Sequence, residues 1–432
     1  MAELIIEGGH PLSGVVTPIG NKNAALPLLA ACLLTDERIV LHNVPQIRDV
    51  ETMLDILQDI GVEVERRPDH SIALRAKNIA RTRLAPNLCG EIRASILFAG
   101  PMLARCHRVL LPPPGGDVIG RRRIDTHLHA FEALGATIDI NGGYDIRAGA
   151  LRGQFIFLDE ASVTGTENAL MAASMAEGTT VICNAASEPH VQELAHFMNL
   201  MGAQIKGVGS NKLTIHGVDR LHAAEWTVGP DHIEVGSFIG LAAVTGGELR
   251  IKDAGVQYLH MTRLMLKRLG VQIKVEGNDV IVPGGQDLRI CPDLGGAIPK
   301  IDDGPWPHFP ADMMSIALVV ATQSQGTVLI WEKMFEGRLF FVDRLIGMGA
   351  RIVLCDPHRA VVVGPSSLHG SPLFSPDIRA GMAMLIAALC ARGASRISNI
   401  RQIDRGYERI EAKLKSLGAH IERVDDCERS AY

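Results

Sequence analysis

The chain has 432 residues, more than one ordinary hydrophobic core supports, so two domains of about 200 residues are expected. Its 47% hydrophobic, 4% aromatic and 21% charged residues are typical of a globular protein and exclude a disordered or fibrous one. The net charge of −5, with Lys and Arg spread along the chain, argues against a nucleic-acid or membrane-surface partner, because both need a concentrated basic face.

The N-terminal sequence MAELIIEGGH has acidic residues where a secretory signal needs basic ones, so export is not expected. The longest apolar run, AGMAMLIAALCA, is shorter than the about 20 residues that span a bilayer, so membrane insertion is not expected either. Eight cysteines are scattered without a CxxC pair, as reduced core thiols are. Together these features predict a cytoplasmic protein.

A short phrase recurs six times, in which a helical pattern ends in Leu, Met or Ile followed by glycine and an alternating strand pattern begins. The glycines are 67 to 79 residues apart, and this spacing predicts six structural repeats. Each glycine is predicted to end a helix in the left-handed conformation, and a β-hairpin is predicted after each of the first five. The six glycines are Gly61, Gly135, Gly202, Gly270, Gly349 and Gly418.

Between these phrases lie helices that are apolar nearly all round, such as VGSFIGLAAV and RAGMAMLIAALCA. Such helices must be buried on every side, so each repeat is predicted to hold a helix inside sheets. The predicted fold class is α/β, with two inside-out α/β barrel (prism) domains of three repeats each. The last repeat lacks its hairpin, and the two N-terminal strands are predicted to complete it. The predicted domains are residues 1–21 with 232–432, and an inserted domain of residues 22–231 that carries the loop at 112–123.

Charged and polar residues stand in the first turn of these buried helices. Some are interpreted as caps, since the first N–H groups of a helix need acceptors: Glu167, Asn168 and Glu234. Cations at a helix N-terminus oppose the helix dipole unless an anion also binds there. The cations are therefore predicted to be anion ligands: Lys22, Arg93 and Arg379.

Arg122, Arg338 and Arg405 stand in loops rather than on amphipathic faces. Guanidinium groups match carboxylate and phosphate oxygens, so several of them predict a substrate with more than one anionic group. One of these loops, LPPPGGDVIGRRR, also holds a single acid, Asp117, among glycines that allow close approach or movement.

Other chemistry lacks its motifs. The sequence has no GxGxxG after a strand, no Walker loop, no HExxH and no nucleophile elbow. His127 and His129 have no matching carboxylate or cysteine ligands nearby, so no metal site is predicted.

Eight segments resemble the UDP-N-acetylglucosamine 1-carboxyvinyltransferase family, and the resemblance runs in register from end to end. The segments are GNKNAALP (20–27), IRASI (92–96), PGGDVIGRRRIDTH (114–127), SVTGTEN (162–168), EPHVQEL (188–194), FPADM (309–313), FEGRLF (335–340) and IDRGYERIEAKLKSLGA (403–419). The resemblance implies the same inside-out fold. It also implies transfer of the enolpyruvyl group of phosphoenolpyruvate to the 3-hydroxyl of UDP-N-acetylglucosamine, with no metal or organic cofactor and these two small molecules as partners.

The resemblance also implies the roles of individual residues. It gives the phosphate of phosphoenolpyruvate to Lys22, Arg122 and Arg405, and its carboxylate to Arg338 and Arg379. Asp312 is implied as the base that accepts the hydroxyl proton. The residues implied in substrate binding, mainly of the UDP-sugar, further include Asn23, Arg93, Arg123, Ile124, Asp125, Thr126, Ser162, Val163, Asp312 and Met334.

Asp117 stands where most family members carry a cysteine that donates a proton, so the resemblance implies Asp117 as the proton donor. A carboxyl group forms no stable thioether with phosphoenolpyruvate, and epoxide inhibitors that alkylate the cysteine are expected to fail. Burial would raise the pKa of this carboxyl and Arg122 would lower it, and the sequence leaves the balance open.

Other positions depart from the family pattern: Pro112, Pro113, Arg123 in place of a proline, Gly337 in place of an asparagine, and Met314. Arg123 could accommodate extra negative charge, which leaves open an acceptor that is another nucleotide or sugar nucleotide of specialised metabolism. A non-catalytic protein that binds a UDP-sugar is a further alternative. The shikimate-phosphate acceptor of the related synthase is less favoured, because the uridine-loop motif is present.

Overall fold

The structure is a computed structural model that describes residues 2–424; Cys427 lies outside this range. The described chain forms two compact units. Unit 1 holds the residues up to Ile19, Val118–Arg121 and the residues from Pro230 onward, and unit 2 holds Gly20–Asp117 and Arg122–Gly229. These boundaries fall within two residues of the predicted ones. The inserted domain was predicted to carry the whole 112–123 loop, but residues 118–121 belong to unit 1 because their contacts lie there.

Twenty-three strands fall within the described residues. They are β1 Glu3–Gly8, β2 Gly14–Val16, β3 Arg38–His42, β4 Glu63–Arg66, β5 Ile72–Arg75, β6 Arg108–Leu111, β7 Thr137–Ile140, β8 Tyr144–Arg147, β9 Phe155–Phe157, β10 Thr179–Cys183, β11 Gln204–Lys206, β12 Lys212–His216, β13 Ala224–Thr227, β14 Leu249–Ile251, β15 Lys274–Glu276, β16 Asp279–Val282, β17 Lys300–Asp302, β18 Gly326–Trp331, β19 Arg351–Asp356, β20 Arg359–Gly364, β21 Pro372–Phe374, β22 Gly393–Ser398 and β23 His420–Val424.

The same range contains thirteen α-helices. They are α1 Lys22–Ala31, α2 Arg48–Asp59, α3 Pro86–Cys89, α4 Ala99–Cys106, α5 Asp125–Ala133, α6 Val163–Ala173, α7 Pro189–Leu200, α8 His232–Thr245, α9 His260–Arg268, α10 Met314–Gln323, α11 Val342–Gly347, α12 Ile378–Cys390 and α13 Ile410–Ser416. Short 3₁₀ turns at Arg93–Phe98 and Ala311–Met313 lead into α4 and α10, and another spans Ile400–Arg405.

The strands form six sheets, three in each unit, as the sixfold phrase predicted. Each of the six phrase glycines has a positive φ, between 89° and 105°, which confirms the predicted left-handed helix ends. After the first five of them the two following strands pair as antiparallel hairpins, for example β15 with β16 across Gly277 and Asn278. Local turn chemistry therefore fixes the same strand pairing five times.

Both N-terminal strands were predicted to complete the last repeat, but only one of them does. Strand β1 does so, lying between β22 and β23 in one four-stranded sheet. Strand β2 instead pairs in parallel with β14, and β13 pairs in parallel with β3. In three other sheets the strand before a buried helix pairs in parallel with the strand after it, as β9 and β10 do around α6. In the remaining two pairings, the strand that lies parallel comes from a distant part of the sequence: β2 for β14 and β13 for β3. Each unit is therefore completed by strands of its own.

The helices predicted to be buried form the centre of each unit. In unit 1, α8, α10 and α12 pack on one another, and their residues are buried almost without exception. Helix α8 also packs on β14, α10 on β20 and α12 on β1. In unit 2, α4 packs on α6, and α1 packs on the 3₁₀ turn that precedes α4. Apolar helices thus lie inside amphipathic sheets in both units, as the predicted inside-out fold requires.

No helix among residues 2–424 has the length and apolar character needed to cross a membrane. The seven cysteines in this range are all unpaired thiols. Burial raises the pKa of Cys32 to about 12 and that of Cys89 to about 11, so these two are core thiols rather than nucleophiles.

Candidate active site

The starts of the buried helices of unit 1 form a charged cluster centred on Asp312. Arg338 donates from Nη2 to Oδ1 of Asp312 at 2.8 Å. Arg379, in the first turn of α12, binds Oδ2 of the same carboxylate through Nε at 3.0 Å and Nη2 at 2.9 Å. The structure thus joins Asp312, Arg338 and Arg379, three residues that the sequence placed in one site.

Both arginines of this cluster are buried, with 5% of each side chain exposed. Burial by itself lowers the pKa of Arg338, but Asp312 and Glu332 outweigh it and raise the pKa above its ordinary value. The same balance raises the pKa of Arg379, with Asp312 and Tyr407 as the opposing groups. Two buried guanidinium groups thus flank the partly exposed carboxylate of Asp312, an arrangement suited to binding a further anion.

Tyr407 extends this cluster, and the sequence analysis missed it. Its hydroxyl accepts from Nη1 of Arg379 at 3.1 Å and lies 3.0 Å from the hydroxyl of Ser237 in α8. The tyrosine is buried, and it lies in the IDRGYERIE phrase two residues after Arg405. The position of Tyr407 in that phrase is the sequence signal that could have identified it as part of the site.

Arg405 and Met334 also lie in unit 1. Arg405 is the last residue of the 3₁₀ turn Ile400–Arg405; it is half-buried and donates to Oε1 of Gln402 at 2.9 Å. Met334 is exposed in the turn that follows β18, and its N–H donates to Oε1 of Glu332 at 3.2 Å. The part of Arg405 and Met334 in a site stays a proposal.

Lys22 opens α1 in unit 2 and is buried against a carboxylate. Its Nζ lies 2.7 Å from Oδ2 of Asp49, and the two side chains are 9% and 5% exposed. Asn21 caps the helix by accepting from the N–H groups of Asn23 and Ala24. The sequence predicted an anion at Lys22, and the structure supplies one from α2 that the sequence analysis missed.

Arg93 has a different immediate partner from the predicted anion. Its Nη2 donates to the main-chain oxygens of Arg122 at 2.6 Å and Arg123 at 3.0 Å. Burial and the charge of Arg122 lower the pKa of Arg93 to about 10. Arg93 therefore holds the main chain of residues 122–123 in place, and the charge of Arg122 is close enough to lower the pKa of Arg93.

Arg123 is neutralised by two carboxylates of unit 2. Its Nε donates to Asp125 at 2.9 Å and its Nη2 donates to Asp159 at 3.0 Å. The other oxygen of Asp159 accepts from the hydroxyl of Thr126 at 2.7 Å. This Arg123–Asp159 brace ties the segment before α5 to the segment after β9, and Ile124, the residue that precedes α5, is half-buried. Two carboxylates thus already compensate the charge of Arg123, at which the sequence left open a further negative charge.

His127 is buried and neutral rather than a metal ligand. Its Nδ1 accepts from the amide of Asn168 at 2.9 Å, so its Nε2 carries the proton and faces the hydroxyl of Thr164 at 3.1 Å. Burial and the charge of Arg93 lower the pKa of His127 to about 3. Both ring nitrogens of His127 therefore have hydrogen-bond partners.

The helix caps are not the residues that the sequence analysis chose. Ser162 caps α6, in which Val163 is the first residue, and Asp231 caps α8. Glu234 accepts instead from the N–H of Ile19 and from Lys413, while Asn168 binds the N–H of Gly100. Glu167 is fully buried, and burial followed by the charge of Glu188 raises its pKa well above the ordinary value. The predicted caps failed because a cap precedes the first turn, whereas Glu234 lies in the first turn of α8 and Glu167 and Asn168 lie beyond the first turn of α6.

The segment that follows Asp117 is held by the turn after β18. The N–H of Gly337 donates to the oxygen of Ile119 at 2.9 Å, and the N–H of Arg121 donates to Oε1 of Glu336 at 3.3 Å. A Cβ atom at Gly337 would lie 2.8 Å from the carbonyl carbon of Ile119. The glycine that departs from the family pattern is therefore required where this segment lies. Asp117 itself is half-buried.

Replacement of Gly337 by asparagine is expected to displace residues 118–121, because the clashing atom belongs to the main chain and cannot rotate away. Trypsin should then cleave at Arg121 to Arg123 at least about fivefold faster, the effect of losing about 1 kcal/mol of local stability. Gly347→Asn is the matched control, since no atom outside its neighbours lies within 4 Å of a Cβ there. Equal cleavage rates in the two variants would contradict this role of Gly337.

The family model described as EPSP synthase (3-phosphoshikimate 1-carboxyvinyltransferase) matches residues 6–414. The chain also superposes on the crystal structure of the enolpyruvyl transferase NikO from Streptomyces tendae, with a TM-score of 0.88 and 25% identity over 98% of this chain and 99% of that one. EPSP synthase from Acinetobacter baumannii shares the fold at a TM-score of 0.76 and 18% identity, over 98% of this chain and 100% of that one. The chain belongs to the EPSP synthase family of carboxyvinyltransferases.

Within this family the similarity is much higher to one group. The UDP-N-acetylglucosamine 1-carboxyvinyltransferase of Bradyrhizobium diazoefficiens is 57% identical over 98% of both chains. The enzyme of the same description from Treponema denticola is 57% identical over 98% of this chain and 99% of its own length. The chain is thus a member of the UDP-N-acetylglucosamine 1-carboxyvinyltransferases, the family that its sequence segments resemble.

Proposed function

We propose that this protein transfers the enolpyruvyl group of phosphoenolpyruvate to the 3-hydroxyl of UDP-N-acetylglucosamine and releases phosphate, the first committed step of peptidoglycan synthesis. The observation that carries the proposal is the 57% identity to enzymes of that description over nearly all of both chains. The buried Arg338–Asp312–Arg379 cluster supports it, since it combines a carboxylate base with two anion-binding cations.

The reaction is an addition followed by an elimination. Asp117 gives a proton to C3 of the enol, and the sugar hydroxyl adds to C2 while its own proton passes to Asp312. Asp117 then takes a proton back from C3, the bond between C2 and the phosphate oxygen breaks, and the proton held by Asp312 leaves with the phosphate. Both carboxyl groups thereby return to their starting state, so no cofactor is required.

The cations would act on the two ends of phosphoenolpyruvate. Arg338 and Arg379 take its carboxylate, and Lys22, Arg122 and Arg405 take the departing phosphate, where fixed charges stabilise the developing negative charge. Asn23, next to Lys22 in α1, is also assigned to substrate binding, and Arg93 is assigned to the UDP-sugar. Lys22 is already paired with Asp49, so the substrate phosphate has to share the ammonium with that carboxylate.

The UDP-sugar is assigned to the Arg93-held segment and the first turn of α6. The residues concerned are Arg122, Arg123, Ile124, Asp125, Thr126, Ser162, Val163, Asp312 and Met334. Main-chain groups of 122–124 are held by Arg93 and by the Arg123–Asp159 brace, which supports a preformed surface for the nucleotide. We also place the protein in the cytoplasm, as the unpaired thiols of the described range support.

The alternative acceptor, another nucleotide or sugar nucleotide, rested on the capacity of Arg123 to accommodate extra negative charge. The brace removes that support. Replacement of Arg123 by alanine should therefore raise the KM for UDP-N-acetylglucosamine by no more than about fivefold, the effect of a partly exposed ion pair of about 1 kcal/mol, and leave kcat unchanged. Steady-state kinetics with each acceptor measure this. A loss of activity above a hundredfold, or a new acceptor gained by Asp159→Asn alone, would revive the alternative.

The proposed function is tested by phosphate release from phosphoenolpyruvate in the presence of UDP-N-acetylglucosamine, UMP or shikimate 3-phosphate. The expected result is phosphate release with UDP-N-acetylglucosamine but not with UMP or shikimate 3-phosphate. The product should be heavier than the acceptor by one enolpyruvyl group. Turnover with only UMP or only shikimate 3-phosphate would assign a different acceptor. Tight binding of UDP-N-acetylglucosamine without turnover would instead identify a non-catalytic UDP-sugar-binding protein.

A further inference from the structure

Two buried carboxyl groups of unit 1 have no part in the chemistry described above. Asp303 follows β17 and Glu332 follows β18, and both residues are fully buried. The two strands are parallel, and Asp302 lies opposite Trp331 in their register. Asp303 and Glu332 are the next residues on each strand, so the two carboxyl groups come together where the strands end.

One oxygen of each carboxyl group binds the main chain of the turn that follows. Oδ1 of Asp303 accepts from the N–H of Lys333 at 2.6 Å. Oε1 of Glu332 accepts from the N–H groups of Met334 at 3.2 Å and Phe335 at 3.0 Å. Three consecutive N–H groups of the turn are therefore fixed by this pair.

The other two oxygens, Oε2 of Glu332 and Oδ2 of Asp303, are buried and have no donor from another residue. Two ionised carboxylates cannot stay side by side in such a place, whereas a single proton between them gives each oxygen a partner. Burial, together with the hydrogen bond to Asp303, raises the pKa of Glu332 to about 9. The geometry and the electrostatics agree that the pair holds one proton at neutral pH.

The surrounding charges do not supply a substitute for this proton. Nε of Arg338 is 3.8 Å from Oε2 of Glu332, beyond hydrogen-bond distance, because that arginine is turned to Asp312. Lys333 pairs with the side chain of Asp302 instead. From the turn between β19 and β20, His358 Nδ1 faces the main-chain oxygen of Glu332 at 2.7 Å, so it does not meet the carboxyl group.

The turn fixed in this way, residues 333–338, carries groups of the proposed site at its far end. Arg338 binds Asp312 there, and Gly337 and Glu336 hold Ile119 and Arg121 of the segment after Asp117. We propose that the Asp303–Glu332 carboxyl pair, sharing one proton, is a positioning device that sets this turn for phosphoenolpyruvate binding and for the 118–121 segment. The inference rests on the proposed function for its kinetic consequence only.

Deprotonation of the pair is expected to loosen the turn. The KM for phosphoenolpyruvate should therefore rise at alkaline pH, with a midpoint near the pKa of Glu332, about 9. Because this pKa is above the ordinary 4.5, the pair also makes the folded protein less stable as the pH rises from about 4.5 to about 9. Both the rise in KM and the loss of stability are expected for the wild-type protein.

Glu332→Gln replaces the shared proton with a permanent N–H donor and keeps the size of the side chain. This variant should match the wild-type KM within about twofold at pH 7 and lose the alkaline rise, whereas Glu332→Ala should raise the KM at least about tenfold at every pH. Asp302→Asn is the matched control, since it alters the neighbouring carboxylate, which is paired with Lys300 and Lys333, and should keep the alkaline rise. An unchanged alkaline rise in Glu332→Gln would overturn the proposal.

Two measurements do not depend on enzymatic activity. In infrared spectroscopy at pH 7, the absorption of buried protonated carboxyl groups should be smaller by one group in Glu332→Gln than in the wild-type protein, while the contribution of Glu167 stays in both. The decline of the melting temperature between pH 6 and pH 9 should be smaller in that variant than in the wild-type protein. If neither result is obtained, the carboxyl pair does not share a proton and the inference is wrong. If both are obtained but the protein does not turn over UDP-N-acetylglucosamine, only the proposed function is contradicted.

Discussion

Replacement of Asp117 by alanine is expected to lower kcat for enolpyruvyl transfer by about 10² to 10⁴, the usual contribution of a general acid. The variant should fold normally, because Asp117 is half-buried in a loop that contains no helix or strand. Phosphate release under saturating substrates measures the effect, and the melting temperature checks the fold. Turnover equal to that of the wild-type protein would remove Asp117 from the mechanism.

The matched variant is Asp117→Cys, which places a thiol at the same position. It should retain measurable turnover and become sensitive to an epoxide inhibitor, gaining the inhibitor's mass in intact-mass spectrometry. The wild-type protein should gain no mass with the epoxide or with phosphoenolpyruvate, since a carboxyl group forms no thioether. An adduct on wild-type Asp117 would contradict the assignment.

The second large effect is expected for Asp312→Asn. The asparagine keeps the shape of the side chain but cannot accept the hydroxyl proton, so kcat should fall by about 10² to 10⁴. The same change leaves the charges of Arg338 and Arg379 without their carboxylate. Because 27% of the Asp312 side chain is exposed, a loss of about 1–3 kcal/mol in the free energy of unfolding is expected, below the range for a fully buried pair.

Binding of phosphoenolpyruvate distinguishes the loss of the base from the loss of the negative charge in Asp312→Asn. Its carboxylate would supply the missing negative charge, so it should raise the melting temperature of Asp312→Asn more than that of the wild-type protein. The control is Asp343→Asn, an exposed carboxylate in the first turn of α11, which should alter neither quantity. Full turnover in Asp312→Asn would transfer the role of base to another group.

The sequence alone was sufficient for the repeat architecture, for reasons that are local. Gly61 and Gly418 end helices in the left-handed conformation because glycine has no Cβ to clash, and this holds in any context. Helices without a polar face, such as α8, have to be buried wherever they lie. Arg338, Arg379 and Asp312 were found by their residue types at helix starts and in loops, helped by the resemblance of their segments to a known family.

The tertiary structure decided which partner each charged group has. The carboxylates that pair with Lys22 and Arg123 are Asp49 and Asp159, at separations in sequence that no local pattern encodes. Strand β2 lies beside β14 rather than in the last repeat, because a parallel place was open there. The buried pair of Asp303 and Glu332 arises only because two parallel strands end together. Local chemistry sets helices and turns, but the neutralisation of a buried charge depends on which distant segments meet in space.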